Sequence, residues 1–310
     1  MESIQNIKNR SKAVKNVSQI TKAMEIVAAT KMRKAQQVAL SSRPYALRTF
    51  ELLERLSLES KISSPLMDNR PVKKTLLVLV ASDKGLTGAF NAQVIRATDK
   101  FLEKNKNQNF IALAIGKKAN KHALRKKMEV VREFYGVGDY ATPEEVAPIS
   151  KLIIDGFLSK KWDNVITIST NFISALKQEP LIRQILPVDI EKIRQTMRDI
   201  IPEHGRYADL AKNEMDKYFK QKAREIEYIF EPTPEQAINS LIPHLVKMQI
   251  YHLILEANAS EHSARRVAMK NASDNAEEIL EELTLVYNKA RQASITNELI
   301  EITSTQNALG

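Results

Sequence analysis

The sequence predicts an α/β protein: a long antiparallel coiled coil of the N- and C-terminal helices plus a central doubly wound α/β domain. Three observations predict it. Both chain ends lack helix breakers, and both carry apolar residues at alternating spacings of three and four. The middle of the chain instead alternates continuous apolar runs with helical periodicity, the pattern of a parallel sheet.

The breaker positions set the ends. No Gly precedes Gly85 and none lies between Gly205 and Gly310, while the first Pro is Pro44 and the last is Pro243. At 1.5 Å per residue the two free ends allow rods of about 65 and about 100 Å, longer than the core of a chain this size. In the N-terminal rod Ile4, Ile7, Val14, Ala28, Met32, Ala35 and Ala39 lie on one stripe, broken by Ser11, Ser18, Thr21 and Glu25. Val17, Ile20, Met24 and Val27 form a second stripe. In the C-terminal rod Val246, Ile250, Leu253, Ala257, Ser260, Ala264 and Val267 make a narrow seam. After a one-residue slip the seam resumes as Ala272, Ala276, Ile279, Leu283, Val286, Ala290 and Ala293. Residues 1–56 hold 11 basic and 4 acidic side chains, whereas residues 244–310 hold 6 basic and 9 acidic. Opposite signs favour pairing of the two ends with each other, and a globular middle makes that pairing antiparallel.

In the middle, TLLVLVAS (75–82) is a strand buried on both faces. It leads through DKGLTGAFN into the helical AQVIRATDKFLEKN. FIALAIG (110–116) is a second strand and KKANKHALRKK a basic helix. TPEEVAPISKLIIDGFLSK begins with Thr142 as N-cap, Pro143 at the first helical position and Glu145 completing a capping box. NVITIST (164–170) is a third strand and EPLIRQILPVD an edge element. Residues 189–231 read as helical and charged, broken at Gly205. The division is residues 1–60, an N-terminal coiled-coil helix; 72–188, the α/β domain; 189–233, a charged connection; and 234–310, a C-terminal coiled-coil helix.

Chemistry is sparse. There is no cysteine, which excludes disulfides, thiolate metal sites and Cys nucleophiles. The Gly85-Leu86-Thr87-Gly88 turn sits where phosphate could bind, yet it matches neither glycine-rich phosphate motif and reads as a structural turn. Asp83 and Lys84 read as part of the same solvated turn. The histidines 122, 204, 244, 252 and 262 have no metal spacing and are expected at the surface or in the seam. No catalytic site, metal or cofactor is expected. A net charge of +10 with a basic N-terminal helix raises nucleic-acid binding, but residues 1–44 contain no aromatic to stack on bases. Docking on an acidic protein surface competes well with it. The N-terminal MESIQNIKNR has no apolar core of a secretory signal, so a soluble, intracellular protein is expected, held at a membrane only through partners.

IKNRSKAVKNVSQITKAMEIVAATKMRKAQ resembles the opening helix of the gamma subunits of F-type ATP synthases. ASDKGLTGAFN resembles that family's central turn, with Thr87 where Cys is usual. The C-terminal EANASEHSARRVAMKNASDNAEEILEELTLVYNKARQASITNELIEI resembles the closing helix. The resemblance implies a central-stalk rotor subunit that transmits rotation between a membrane c-ring and a ring of alpha and beta subunits. It also implies a role in regulating ATPase activity and ion flow, and an epsilon-subunit partner. On matched positions it implies subunit contacts at Lys22, Met24, Arg291, Gln292 and Thr296, and an apolar bearing at Ile295, Leu299 and Ile300. Ser11 departs from the family's apolar residue, and residues 189–231 are longer than the usual connection. With no transit peptide ahead of the first helix, a bacterial protein peripheral to the cytoplasmic face of the cell membrane is expected, with no nucleic-acid partner.

Overall fold

The computed structural model describes residues 3–59, 64–137, 141–174, 176–189, 191 and 233–309. The expected helical segment 189–231 falls almost entirely outside the described residues. Helix α1 spans Ile4–Glu59, and a helical turn at Pro65–Met67 leads into strand β1, Thr75–Val80. There follow α2 (Phe90–Lys104), β2 (Phe110–Ile115), α3 (Lys117–Arg125), β3 (Glu129–Phe134), α4 (Pro143–Leu158), β4 (Asn164–Phe172) and β5 (Gln178–Leu186). The last helix, α5, is Pro234–Leu309. The chain forms two compact units, Met1–Ala28 with Arg265–Gly310, and Ala29–Ala264.

The larger unit is built on a five-stranded sheet of order β3-β2-β1-β4-β5. β1 pairs in parallel with both β2 and β4, β2 pairs in parallel with β3, and β5 closes the edge antiparallel to β4. Alternation along β1 assigns its two faces. Leu76, Val78 and Val80 point to one side, where α4 and α5 pack through Ile149, Ile153, Phe157, Leu245, Ile250 and Ile254. Leu77 and Leu79 point to the other, against Val94 of α2 and Ala119 and Ala123 of α3. Helices on both faces make the sheet doubly wound, as the sequence predicts. The α4 cap is the predicted one: Glu145 N–H donates to Thr142 Oγ1 at 3.3 Å, and Thr142 N–H donates to Glu145 Oε2 at 3.0 Å.

Strand β3 was not legible in the sequence. EVVREF lies at the sheet edge with most of its side chains in solvent, so charged residues interrupt the run that would mark a buried strand. The lower part of α5 also differs from a narrow seam. Ile242, Leu245, Met248, Ile250, Leu253, Ile254, Leu255, Ala257 and Ala259 are all buried, because the sheet and its neighbours surround this stretch. The histidines need a further correction. His122 is buried on α3 with Nε2 3.0 Å from Asp99 of α2, neither at the surface nor in a seam. Burial lowers its affinity for a proton, and the nearby Asp99 only partly opposes that.

Two packing details give testable consequences. Trp162 is buried with its indole N–H donating to Ile153 O at 3.2 Å, and its ring packs against Gly156. A Cβ at Gly156 would stand 1.9 Å from Trp162 Cζ2. Gly156→Ala should therefore destabilise this unit by about 1–3 kcal/mol through overpacking, seen as a lower midpoint in thermal melts. Nearby, Asp163 accepts from Arg70 Nε at 2.7 Å and from the Lys73 and Lys74 N–H groups at 2.9 and 3.1 Å. Burial pushes the Asp163 carboxyl up, but the Lys73 N–H, the Arg70 guanidinium and the Lys74 N–H outweigh it and hold it below the usual 3.8. A lowered folded-state value adds stability above the unfolded value and loses it as pH falls through the folded one. Asp163→Asn should thus be less stable than the parent chain at pH 7, with the gap shrinking below pH 3.8, as read by denaturant titration at each pH.

Candidate functional site

The strand-to-helix turn after β1 is committed to holding the fold. Leu86 and Gly88 take left-handed φ values of 61° and 52°, and Asn91 Nδ2 donates to Thr87 Oγ1 at 2.9 Å. Ser82 N–H donates to Asn91 Oδ1 at 3.0 Å. The carboxylate of Asp83 accepts from the N–H of Lys117 at 2.9 Å and of Gly136 at 2.8 Å, tying the ends of β1 and β3 to the start of α3. A left-handed Gly116 completes the corner: a Cβ there would stand 1.9 Å from Ala81 O. The adjoining cavity, bounded by Asp83, Phe90, Phe134, Asn258 and Glu261, measures about 30 Å³. That is water-sized, against the roughly 300 Å³ or more of a small-ligand pocket. Among the described residues no group of three or more His, Asp or Glu is placed to hold a metal, and no helix is long and apolar enough to cross a membrane.

The sequence-predicted contact residues lie instead on the smaller unit, where the first turns of α1 run beside the distal part of α5. Facing inward on α1 are Ile4, Ile7, Ser11, Val14, Ser18, Thr21, Glu25 and Ala28, a strict alternation of threes and fours, all buried or half-buried. The structure thus selects the stripe interrupted by polar residues. The apolar one stays outside, with Val17 52%, Ile20 60% and Val27 54% exposed and Met24 half-buried. Thr21 meets its burial by donating its hydroxyl to Val17 O and Ser18 O, both at 3.0 Å.

On α5 the inward residues are Met269, Ser273, Ala276, Leu280, Leu283, Tyr287, Ala290 and Ser294. This corrects the expected seam by half. The column Ala276, Leu283, Ala290 is shared and Ala272 is half-buried beside buried Ser273, but Leu280, Tyr287 and Ser294 replace Ile279, Val286 and Ala293. Ile279 and Val286 are 44% and 50% exposed. Apolar periodicity alone could not choose, because either column completes a 3–4 alternation with the shared one. Small side chains at Ser18, Ala28, Ser273 and Ala276 let the helix axes approach closely.

Lys22 Nζ lies 3.1 Å from Glu25 Oε2. Its affinity for a proton is raised, chiefly by the hydrogen bond to Glu25 and then by the charge of Glu25, with Asp274 and Glu277 of α5 adding to it. Lys22 is near the end of the α1 segment, and Asp274 and Glu277 are near the start of the α5 segment. That is an antiparallel pairing. Arg291 and Gln292 are exposed beside half-buried Ala290, although Ala293 is exposed with them. Thr296 is exposed, and its hydroxyl donates to Gln292 O at 2.9 Å. From Ile295 onward through Ser304 every side chain is exposed, with Ile295 46%, Leu299 58%, Ile300 58% and Ile302 63% in solvent.

A family model described as ATP synthase matches residues 3–309. The ATP synthase gamma chain of Roseiflexus castenholzii is 38% identical, over 100% of this chain and 99% of the relative. The chain belongs to the ATP synthase gamma family. It is therefore a non-catalytic stalk subunit. In fold it is similar to a chain of the Euglena gracilis mitochondrial ATP synthase in rotational state 3, with a TM-score of 0.64 and 19% identity, covering 99% of this chain and 94% of that one. It is also similar to a chain from the central stalk and c-ring structure of the Tetrahymena thermophila mitochondrial ATP synthase, with a TM-score of 0.56 and 23% identity, covering 82% and 99%.

Proposed function

We propose that the paired helices of the smaller unit are the shaft that carries rotation between a membrane c-ring and a ring of alternating alpha and beta subunits. The epsilon subunit would bind beside the α/β domain, and the assembly would stand on the cytoplasmic face of a bacterial membrane, driven by protons or sodium ions. One observation carries this reading. The distal end of α5 presents Ile295, Leu299, Ile300 and Ile302 to solvent on a helix otherwise rich in charge, so an apolar collar from a partner is needed to cover them. Ile295, Leu299 and Ile300 serve as the bearing, and Arg291, Gln292 and Thr296 are the polar contacts just below it. Met24 and Lys22 meet the ring on the α1 side, Lys22 with part of its charge already engaged by Glu25.

The shaft works by asymmetry. On α1 the exposed residues include apolar Val17, Ile20 and Val27, and on α5 they include acidic Glu277, Glu278, Glu281 and Glu282. Each orientation presents different contacts to each catalytic subunit and favours a different nucleotide-binding conformation. Shifting one site from 1:99 to 99:1 takes about 5.5 kcal/mol of differential interaction, more than one contact supplies. The same contacts, held in one orientation, would restrain ATP hydrolysis and ion flow.

A tagged copy purified from native membranes tests this. Alpha, beta and epsilon subunits with ATPase activity are the expected companions in mass spectrometry. Recovery of the chain alone, or with nucleic acid, would contradict the reading.

A further inference from the structure

Charge is unevenly placed on the α/β unit. Residues 90–128 hold 10 basic and 2 acidic side chains, so most of the chain's net charge of +10 sits there. The two helices of that stretch, α2 and α3, cover the same face of the sheet, behind Leu77 and Leu79. Helix α4, on the opposite face, carries Glu144, Glu145 and Asp155 against Lys151 alone. Of the two acids on the basic face, Asp99 is already engaged, 3.0 Å from both His122 Nε2 and Lys126 Nζ. Arg96, Lys100, Lys104, Lys106, Lys121 and Lys127 are exposed, and among the described residues none of them has an ion-pair partner. Like charges gathered on one face repel one another, and an anionic partner relieves that repulsion.

We propose that the outer face of α2 and α3 docks on anionic lipid headgroups. Five of the six unpaired cations are lysines, hydrated point charges that protein interfaces exclude from their cores in favour of arginine. A lipid surface is a diffuse sheet of charge and asks for no fixed geometry. Phe90 is buried, and Phe101 and Phe110 are half-buried and meet edge to face at 5.7 Å, so no ring stands out to stack on a base. Leu124 is 59% exposed, flanked on α3 by Lys121 and Arg125, an apolar side chain suited to the headgroup boundary. ATP synthase gamma chains belong to a membrane-bound complex, so such a surface is at hand. The docking face stands on this chain's own charge; only its setting, the membrane around the c-ring, rests on the function proposed above.

Flotation of the full-length isolated chain tests this, with vesicles of phosphatidylcholine alone and of equimolar phosphatidylcholine and phosphatidylglycerol. The chain should bind only the anionic vesicles and leave them as salt is raised. Each Lys or Arg near such a surface is worth about fivefold in partitioning, so Lys100→Gln, Lys104→Gln and Lys121→Gln together should weaken binding about a hundredfold. The matched triple Lys8→Gln, Lys12→Gln and Lys15→Gln on α1 removes the same charge and should weaken it less than about fivefold. All six lysines are exposed, so both triples should keep the parent's circular dichroism. Leu124→Trp reports contact: its added emission should shift to the blue on anionic vesicles, while Trp162 stays buried. Equal losses in the two triples would mean attraction to net charge without a docking face, and would overturn the proposal. So would an unshifted emission of the bound Leu124→Trp variant. Tighter binding to duplex DNA or to polyglutamate than to the vesicles at equal salt would also overturn it, assigning the face to nucleic acid or to an acidic protein. None of these results depends on whether the chain turns in a complex.

Discussion

Ala276→Trp should open the paired helices while leaving the α/β unit folded. Ala276 is 5% exposed and belongs to the seam column common to both possible stripes. Around it Ser273 is buried on the same helix, and Ser18 and Thr21 are buried on α1, so the axes are set for small side chains. An indole there either forces the helices apart or is itself expelled, at a cost of about 1–3 kcal/mol or more. A short two-helix unit has little other core to absorb that. The expected result is loss of a lower-temperature melting phase, faster proteolysis within residues 1–28, and a severalfold lower yield of assembled complex. Ile279→Trp is the matched control. Ile279 is 44% exposed, so the variant should melt like the parent chain, whereas a seam through Ile279 would make the two equally damaging.

The Arg291→Ala, Gln292→Ala double variant should act in the opposite manner, sparing the fold and damaging the work. Both side chains are exposed on α5. Their removal exposes no buried partner, and helix propensity favours alanine slightly. If they bond to the catalytic ring, the loss of charge-assisted hydrogen bonds worth about 1.5–3 kcal/mol should lower coupled ATP synthesis roughly ten- to a hundredfold. Circular dichroism and melting of the isolated chain should match the parent. Unchanged synthesis in the assembled variant would count against the contact role.

Legibility in the sequence tracked burial. β1 and β2 are covered on both faces, and their apolar runs were plain; Thr142 and Glu145 carried a local signal that needs no tertiary context. β3 hid because an edge strand has few buried side chains to write a pattern with. For the seam, periodicity marked the right helices and half of the right face. It could not prefer Ser18 and Thr21 over Val17 and Ile20, because in isolation hydrophobicity ranks them the other way. In the structure the buried stripe carries Ser18, Thr21 and the ion-paired Glu25, and the outward face leaves Val17, Ile20 and Val27 in solvent. That choice is not visible to a scan for apolar spacing. The tip residues Ile295, Leu299 and Ile300 were picked out only by resemblance, yet excess apolar exposure at one helix end is a signal that the structure makes physical.

The central claim is that this chain turns. The most direct measurement assembles it with its alpha and beta subunits, fixes the ring to a surface, and attaches a bead to a single introduced thiol at the exposed Lys106 position of the α/β unit. ATP should then drive unidirectional, stepwise rotation of the bead, slowed or stopped by the Arg291→Ala, Gln292→Ala change. A bead that stays still, or only diffuses, while the assembly hydrolyses ATP at its full rate would contradict the account.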